Sequence, residues 1–154
     1  NKVIIISDVF TTAGTSYAIS AAEPATYDDT GFAALSWTEV AEVTDMGEYG
    51  ASFEVVSHNP LATRRTVKRK GTVNDGALSL QLGRTPADAG QAILIAGVDG
   101  AGIDTVHSHR VTLQDGTVQY FTGQVYSYTT NIGSANQIVS AAATIELDNK
   151  IIEV

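Results

Sequence analysis

Eight short segments of alternating or β-branched character recur along the chain, and this constrains the fold more than any other feature. They are Thr15–Ser20, Val40–Met46, Phe53–Val56, Thr66–Val73, Ala77–Leu82, Val106–Leu113, Thr117–Thr129 and Gln137–Leu147. Side chains of a strand alternate between its two faces, so many short runs of this kind point to an antiparallel β-sandwich or barrel. Asn74-Asp75-Gly76 and Asp115-Gly116 tolerate the positive φ of tight turns and are expected to close hairpins, the second over roughly residues 106–129.

One short helix is expected to flank the sheets, over about residues 85–97. Thr85 can cap it, Pro86 suits a first helical position, and Asp88 can meet the positive end of the dipole. Ala89, Ala92, Ile93 and Ala96 then follow at helical spacing, and Gly97 with Gly100 can end it. At 154 residues with 44% hydrophobic content, the chain fits one domain, taken as 13–154 behind an arm at 1–12. Apolar runs such as 3–6 and 93–96 fall far short of the ~18 residues of a membrane span. No signal-peptide pattern is evident, although the chain begins at Asn1. The absence of cysteine excludes disulfides and thiolate chemistry.

Charge is segregated. Arg64, Arg65, Lys68, Arg69 and Lys70 supply five of the nine basic residues, whereas residues 3–63 carry no Lys or Arg. The whole chain is acidic, with 17 Asp and Glu and a net charge of −8, so the simplest surface complementary to the basic block is another copy of the chain. Asp28, Asp29, Glu39, Glu42, Asp45 and Glu48 are the candidate docking or lumen carboxylates. Two further stretches read as interface elements because a monomer gives them no evident core. One is the arm, with Val3, Ile4, Ile5, Ile6 and Phe10. The other is the excursion around His58, Asn59 and Pro60 that leads into the basic block.

Catalytic and ligand signatures are sparse. Gly97-Val98-Asp99-Gly100-Ala101-Gly102 follows a helix and lacks the Lys of a phosphate loop, so it reads as a turn. His107 and His109 share a strand face and with Asp104 could in principle hold a metal, but a paired polar solvent or interface face is the commoner case. No local signature marks a serine nucleophile, and Asp28-Asp29 reads as a solvated loop. The basic block has no interleaved aromatic for base stacking, which weighs against nucleic acid. No cofactor and no enzymatic activity are expected.

Taken in order, several segments resemble the major tail tube proteins of long-tailed, lambda-like phages. They are Ala13-Gly14-Thr15, Trp37 with Val40-Ala41, Val43 and Asp45, the stretch from Pro86 to Ala96, and Gly116-Thr117-Val118 with Phe121, Gly123, Val125 and Ser127. The resemblance implies six copies to a ring, rings stacked into a hollow tube that conducts DNA, and fold kinship with type VI secretion tubes. It further implies partners in the tape-measure, tail-tip and tail-terminator proteins, and synthesis in the host cytoplasm before incorporation in the virion tail. In that family the arm (1–12 here) and a long loop (about 57–71 here) become ordered against neighbouring subunits. A secretion-type tube or tail-completion protein of the same fold is one alternative. Another is a carbohydrate-binding β-sandwich, for which Trp37, Tyr120, Tyr126 and Tyr128 would form the platform, the three tyrosines sharing a strand face.

Overall fold

The computed structural model describes residues 9–99 and 105–154, so Val3, Ile4, Ile5, Ile6 and Asp104 lie outside the described residues. The elements run β1 (Ser16–Ser20), α1 (Asp29–Ala33), β2 (Thr38–Glu39), β3 (Val43–Asp45), β4 (Ser52–His58), β5 (Val67–Asn74), β6 (Ala77–Gly83), α2 (Ala89–Val98), β7 (His107–Thr112), β8 (Val118–Asn131), β9 (Ser140–Leu147) and β10 (Ile152–Glu153). Eight strands form one antiparallel sheet in the order β2-β1-β7-β8-β9-β6-β3, with β10 on β8, while β4 and β5 pair only with each other.

That order forces the sheet to curl. β2 and β3 stand at opposite ends of it, yet only Val40–Glu42 separates them in the chain. The short connector is bonded to both ends: Val40 N donates to Tyr17 O of β1 at 2.9 Å, and Glu42 O accepts from Gly83 N of β6 at 2.8 Å. The inward-facing alternation fills the resulting interior with Tyr17, Ile19, Leu78, Leu80, Leu82, Val111, Phe121, Val125, Ala141, Ala143, Ile145 and Leu147, joined by Leu94 of α2. Each large aliphatic side chain buried in this way contributes about 1.5–3 kcal/mol relative to leaving it in water.

α2 closes the seam. Its N-cap is Asp88, whose side chain accepts from Gln91 N, so the expected cap at Thr85 is displaced by a turn: the carboxylate is the stronger acceptor at the dipole's positive end. The second carboxylate contact, from Ala41 N at 3.3 Å, ties the cap to the seam. Gln91 is 1% exposed and meets its full bonding capacity there. Its Nε2 donates to Ala41 O at 3.1 Å and Gly83 O at 3.0 Å, and its Oε1 accepts from Thr85 N at 2.9 Å and Tyr128 OH at 3.2 Å.

Several expectations need correction. A second helix, α1, stands where a solvated loop was expected, because Asp28 accepts from Gly31 N at 2.7 Å and caps it, with Asp29 in its first turn. Asp115-Gly116 does close the β7–β8 hairpin. Asn74-Asp75-Gly76 does not close one: β5 and β6 belong to different sheets, and this turn is the corner where the chain passes from the ribbon to the sheet. Gly76 adopts φ 87° there and its Cα lies so near Gly50 that an added Cβ would sit 2.7 Å from Gly50 O. The expected excursion over 57–71 is also more regular than a loop, since His58 pairs with Val67 and the strands extend to that point.

Candidate functional site

The β4–β5 ribbon stands apart from the curled sheet, and its composition makes it the candidate assembly element. Every residue of β4 is exposed, and in β5 only Val67 and Gly71 are half-buried. Phe53, Val55, Val56, Val73 and, at the tip, Leu61 are large apolar side chains open to solvent, Leu61 at 97%. None belongs to the core, so folding of the sheet does not account for them.

The basic block is carried on this ribbon but does not share one face. Arg64 and Arg65 lie in the tip, Arg64 with φ 55°, in the left-handed region that costs a β-carbon residue about 1 kcal/mol. In the strand, the pairs Ser57–Lys68 and Val55–Lys70 lie on one face and Val56–Arg69 on the other. Among the described residues none of these five cations has a carboxylate partner. Arg69 Nη1 donates to Lys68 O at 3.1 Å, and Lys70 Nζ lies 4.8 Å from the centroid of the Phe53 ring. His58 and Asn59 are exposed and Pro60 half-buried, all near the tip.

Four of the six candidate carboxylates fall on one strip of chain, residues 39–48, at and beyond the seam. Glu39, Glu42, Asp45 and Glu48 are all exposed, and the backbone at Glu42 takes φ 63°. Asp45 Oδ1 accepts from Gly47 N at 2.7 Å. Asp28 and Asp29 are separate from the strip: Asp28 serves the α1 cap, and the bonds from Gly31 N and Thr26 Oγ1 hold its carboxyl below the usual range. The sequence joined all six by charge alone, whereas the fold assigns them to two places.

Beside the strip, two adjoining grooves run between residues 10–15 and residues 43–49. One, of about 260 Å³, is lined by Thr12–Thr15 and Val43–Met46. The other, of about 190 Å³, has Phe10, Met46, Tyr49, Val111 and Leu113 in its walls. Phe10, the one apolar arm residue of the expected interface set that is described, is 46% exposed.

The histidine pair is not on a solvent or interface face. His109 is fully buried, stacked between Tyr17 and Phe121 with ring centroids 5.9 and 5.3 Å away. Its Nε2 faces Gly123 O at 3.1 Å, an acceptor only, so the proton sits on Nε2 and Nδ1 accepts from Tyr17 OH at 2.6 Å. Burial lowers its pKa to about 3. His107 points to the same interior, 4% exposed, with burial again lowering its pKa. Among the described residues no cluster of three or more metal-binding side chains occurs.

The tyrosine platform does not form either. A bulge between Val125 and Ser127 shifts the alternation of β8. Tyr120 stacks on Phe32 at 5.2 Å, Tyr126 faces solvent, and Tyr128 turns to Gln91 on α2. Trp37 donates from Nε1 to Phe32 O at 3.0 Å and lies under the Arg110 guanidinium at 5.2 Å, as part of a packed cluster and not an open shelf.

Residues 9–150 match the family model described as lambda phage tail tube protein, TTP. No curated protein matches. Among solved structures, the chain is similar to one in the anti-feeding prophage baseplate, with a TM-score of 0.74, 11% identity and 97% of both chains covered. It is similar also to a chain of the PVC sheath/tube terminator of an extracellular contractile injection system (TM-score 0.67, 10% identity, 97% of this chain and 99% of the other). A third is the SPP1 tail tube (TM-score 0.60, 11% identity, 90% of this chain and 75% of the other). At these identities the structural likeness speaks for the fold, a curled antiparallel sheet with two helices, and the family match covers nearly the whole chain. The chain belongs to the lambda phage tail tube protein family, and its role is that of a structural tail tube protein.

Proposed function

We propose that copies of this chain associate into six-membered rings, which stack into the hollow tube of a phage tail and conduct DNA during ejection. The observation that carries this reading is the β4–β5 ribbon, which exposes apolar and cationic side chains together on an element the core does not need. The net charge of −8 supports the conduit: carboxylates repel phosphate, so a duplex can slide past them, whereas a basic lining would hold it through counterion release. Charge of one sign also opposes assembly, and the segregated cations offset that repulsion where subunits meet. The role is non-enzymatic, with tape-measure, tip and terminator proteins as further partners in the virion tail.

Negative-stain microscopy of the concentrated protein is the direct test, and hollow tubes built of six-fold rings are expected. Reversing Arg64, Arg65, Lys68, Arg69 and Lys70 to Glu is expected to abolish the tubes and leave the circular dichroism unchanged, since exposed charges contribute only ~0–1 kcal/mol each to folding. A monomer at every concentration in sedimentation, or tubes from the reversed variant, would refute the reading or the part given to the basic block.

A further inference from the structure

The ribbon tip and the seam grooves have complementary chemistry. At the tip, Leu61 is the most exposed large apolar side chain among the described residues, and Arg64 and Arg65 follow directly after its turn. The grooves present the opposite arrangement. Their walls include Phe10, Val43, Met46, Val111 and Leu113, and Asp45 lines the first of them, with Glu42 and Glu48 exposed three residues to either side of it along the chain. Among the described residues no cation lines either groove. An apolar plug with two guanidinium groups behind it fits a slot that has Asp45 in one wall and the exposed Glu42 and Glu48 on the same segment of chain, because burial of the plug brings the charges within range of each other.

From this we infer that the grooves between residues 10–15 and 43–49 seat the ribbon tip of a second copy of the chain, with Leu61 in the slot and Arg64 and Arg65 on the Glu42–Glu48 rim. The contact is heterologous: tip and groove are different surfaces, so each copy offers one of each and the association continues from copy to copy until it closes. The inference rests on the tube reading above and adds the seat of the ribbon to it. It also gives the strip a role distinct from that of Asp28, which caps α1, and of Asp29 in its first turn.

The lack of cysteine makes a direct test clean. Two single-cysteine variants, L61C and T12C, are mixed under assembly conditions and treated with a short bis-maleimide. A 61–12 cross-linked dimer is expected in at least tenfold excess over the 61–61 and 12–12 products, and over a control mixture of L61C with A135C. A second pair of variants reads the charges: R64E/R65E in one, E42K/D45K/E48K in the other. Each alone is expected to stay unassembled at neutral pH. Mixed in equal amounts they are expected to assemble, because the acidic tip of one fits the basic rim of the other and the remaining tip and rim keep their native signs. Tubes without the 61–12 product, or single variants that assemble as the wild type does, would overturn the groove and leave the tube reading intact. The 61–12 product in open chains with no ring or tube would keep the groove and overturn the tube.

Discussion

His109 shows how a polar residue can be a core residue. Stacked between two rings, with Tyr17 OH and Gly123 O meeting its two nitrogens, the neutral imidazole is fully satisfied, and an imidazolium would have to reverse the Tyr17 bond, leaving that hydroxyl proton without its acceptor, and to give up its hydration. Its folded pKa of about 3 lies below the unfolded 6.5, so the unfolded chain takes up the proton first as pH falls. The stability this site contributes is therefore complete above pH 6.5 and is lost toward pH 3, at about 1.4 kcal/mol per unit. Urea denaturation at pH 7.5 and pH 5 is expected to differ by about 2 kcal/mol from this group, with His107 acting in the same direction. A His109→Gln variant is expected to flatten the profile; an unchanged slope in that variant would locate the acid sensitivity elsewhere. In sequence the pair read as a polar face, because alternation tells that two side chains share a face and not which face is buried.

At the scale of elements, strands with strong alternation were legible and elements made by tertiary contacts were not. β6, with Leu78, Leu80 and Leu82, and the β7–β8 hairpin were plain from residue type alone. β10 is two residues long, too short for a period, and exists because Ile152 pairs with Tyr120. α1 spans five residues and depends on its Asp28 cap and on Phe32 packing against Tyr120. The ribbon's basic block and its exposure were legible as charge segregation; the seam that makes one strip of Glu39, Glu42, Asp45 and Glu48 was not, because it depends on which strands close the sheet. Gly90 tests that seam. Ala is favoured over Gly by about 1 kcal/mol inside a helix, but a Cβ here would lie 2.5 Å from Glu39 O and 2.8 Å from Val40 Cα, both backbone positions. The clash outweighs the propensity, and Gly90→Ala is expected to cost about 2 kcal/mol or more by lifting α2 from the connector. A thermal melt unchanged or raised in this variant would show that the helix is not held against the seam.

Across the whole molecule, charge placement decides how the chain meets DNA. Outside the ribbon, the described cations are Arg84, Arg110 and Lys150, and two of them are engaged: Arg110 lies over Trp37, and Arg84 lies over Tyr128 with Nη1 donating to Thr130 Oγ1. Among the described residues the ribbon therefore offers the one dense group of cations for a duplex, against a net charge of −8. Five phosphate contacts would give a log–log salt slope near −4.5, so the affinity would fall about 500-fold between 50 and 200 mM salt. The expected result of a mobility-shift titration is no duplex binding at physiological salt, and at most a weak shift at low salt that the five-fold Glu reversal removes. Assembly of the wild-type chain should bury the same cations and abolish even that shift, whereas a conduit with a basic lining would retain it in the tube. Tight binding that survives assembly would place the basic block in the lumen and overturn its assignment to subunit contacts.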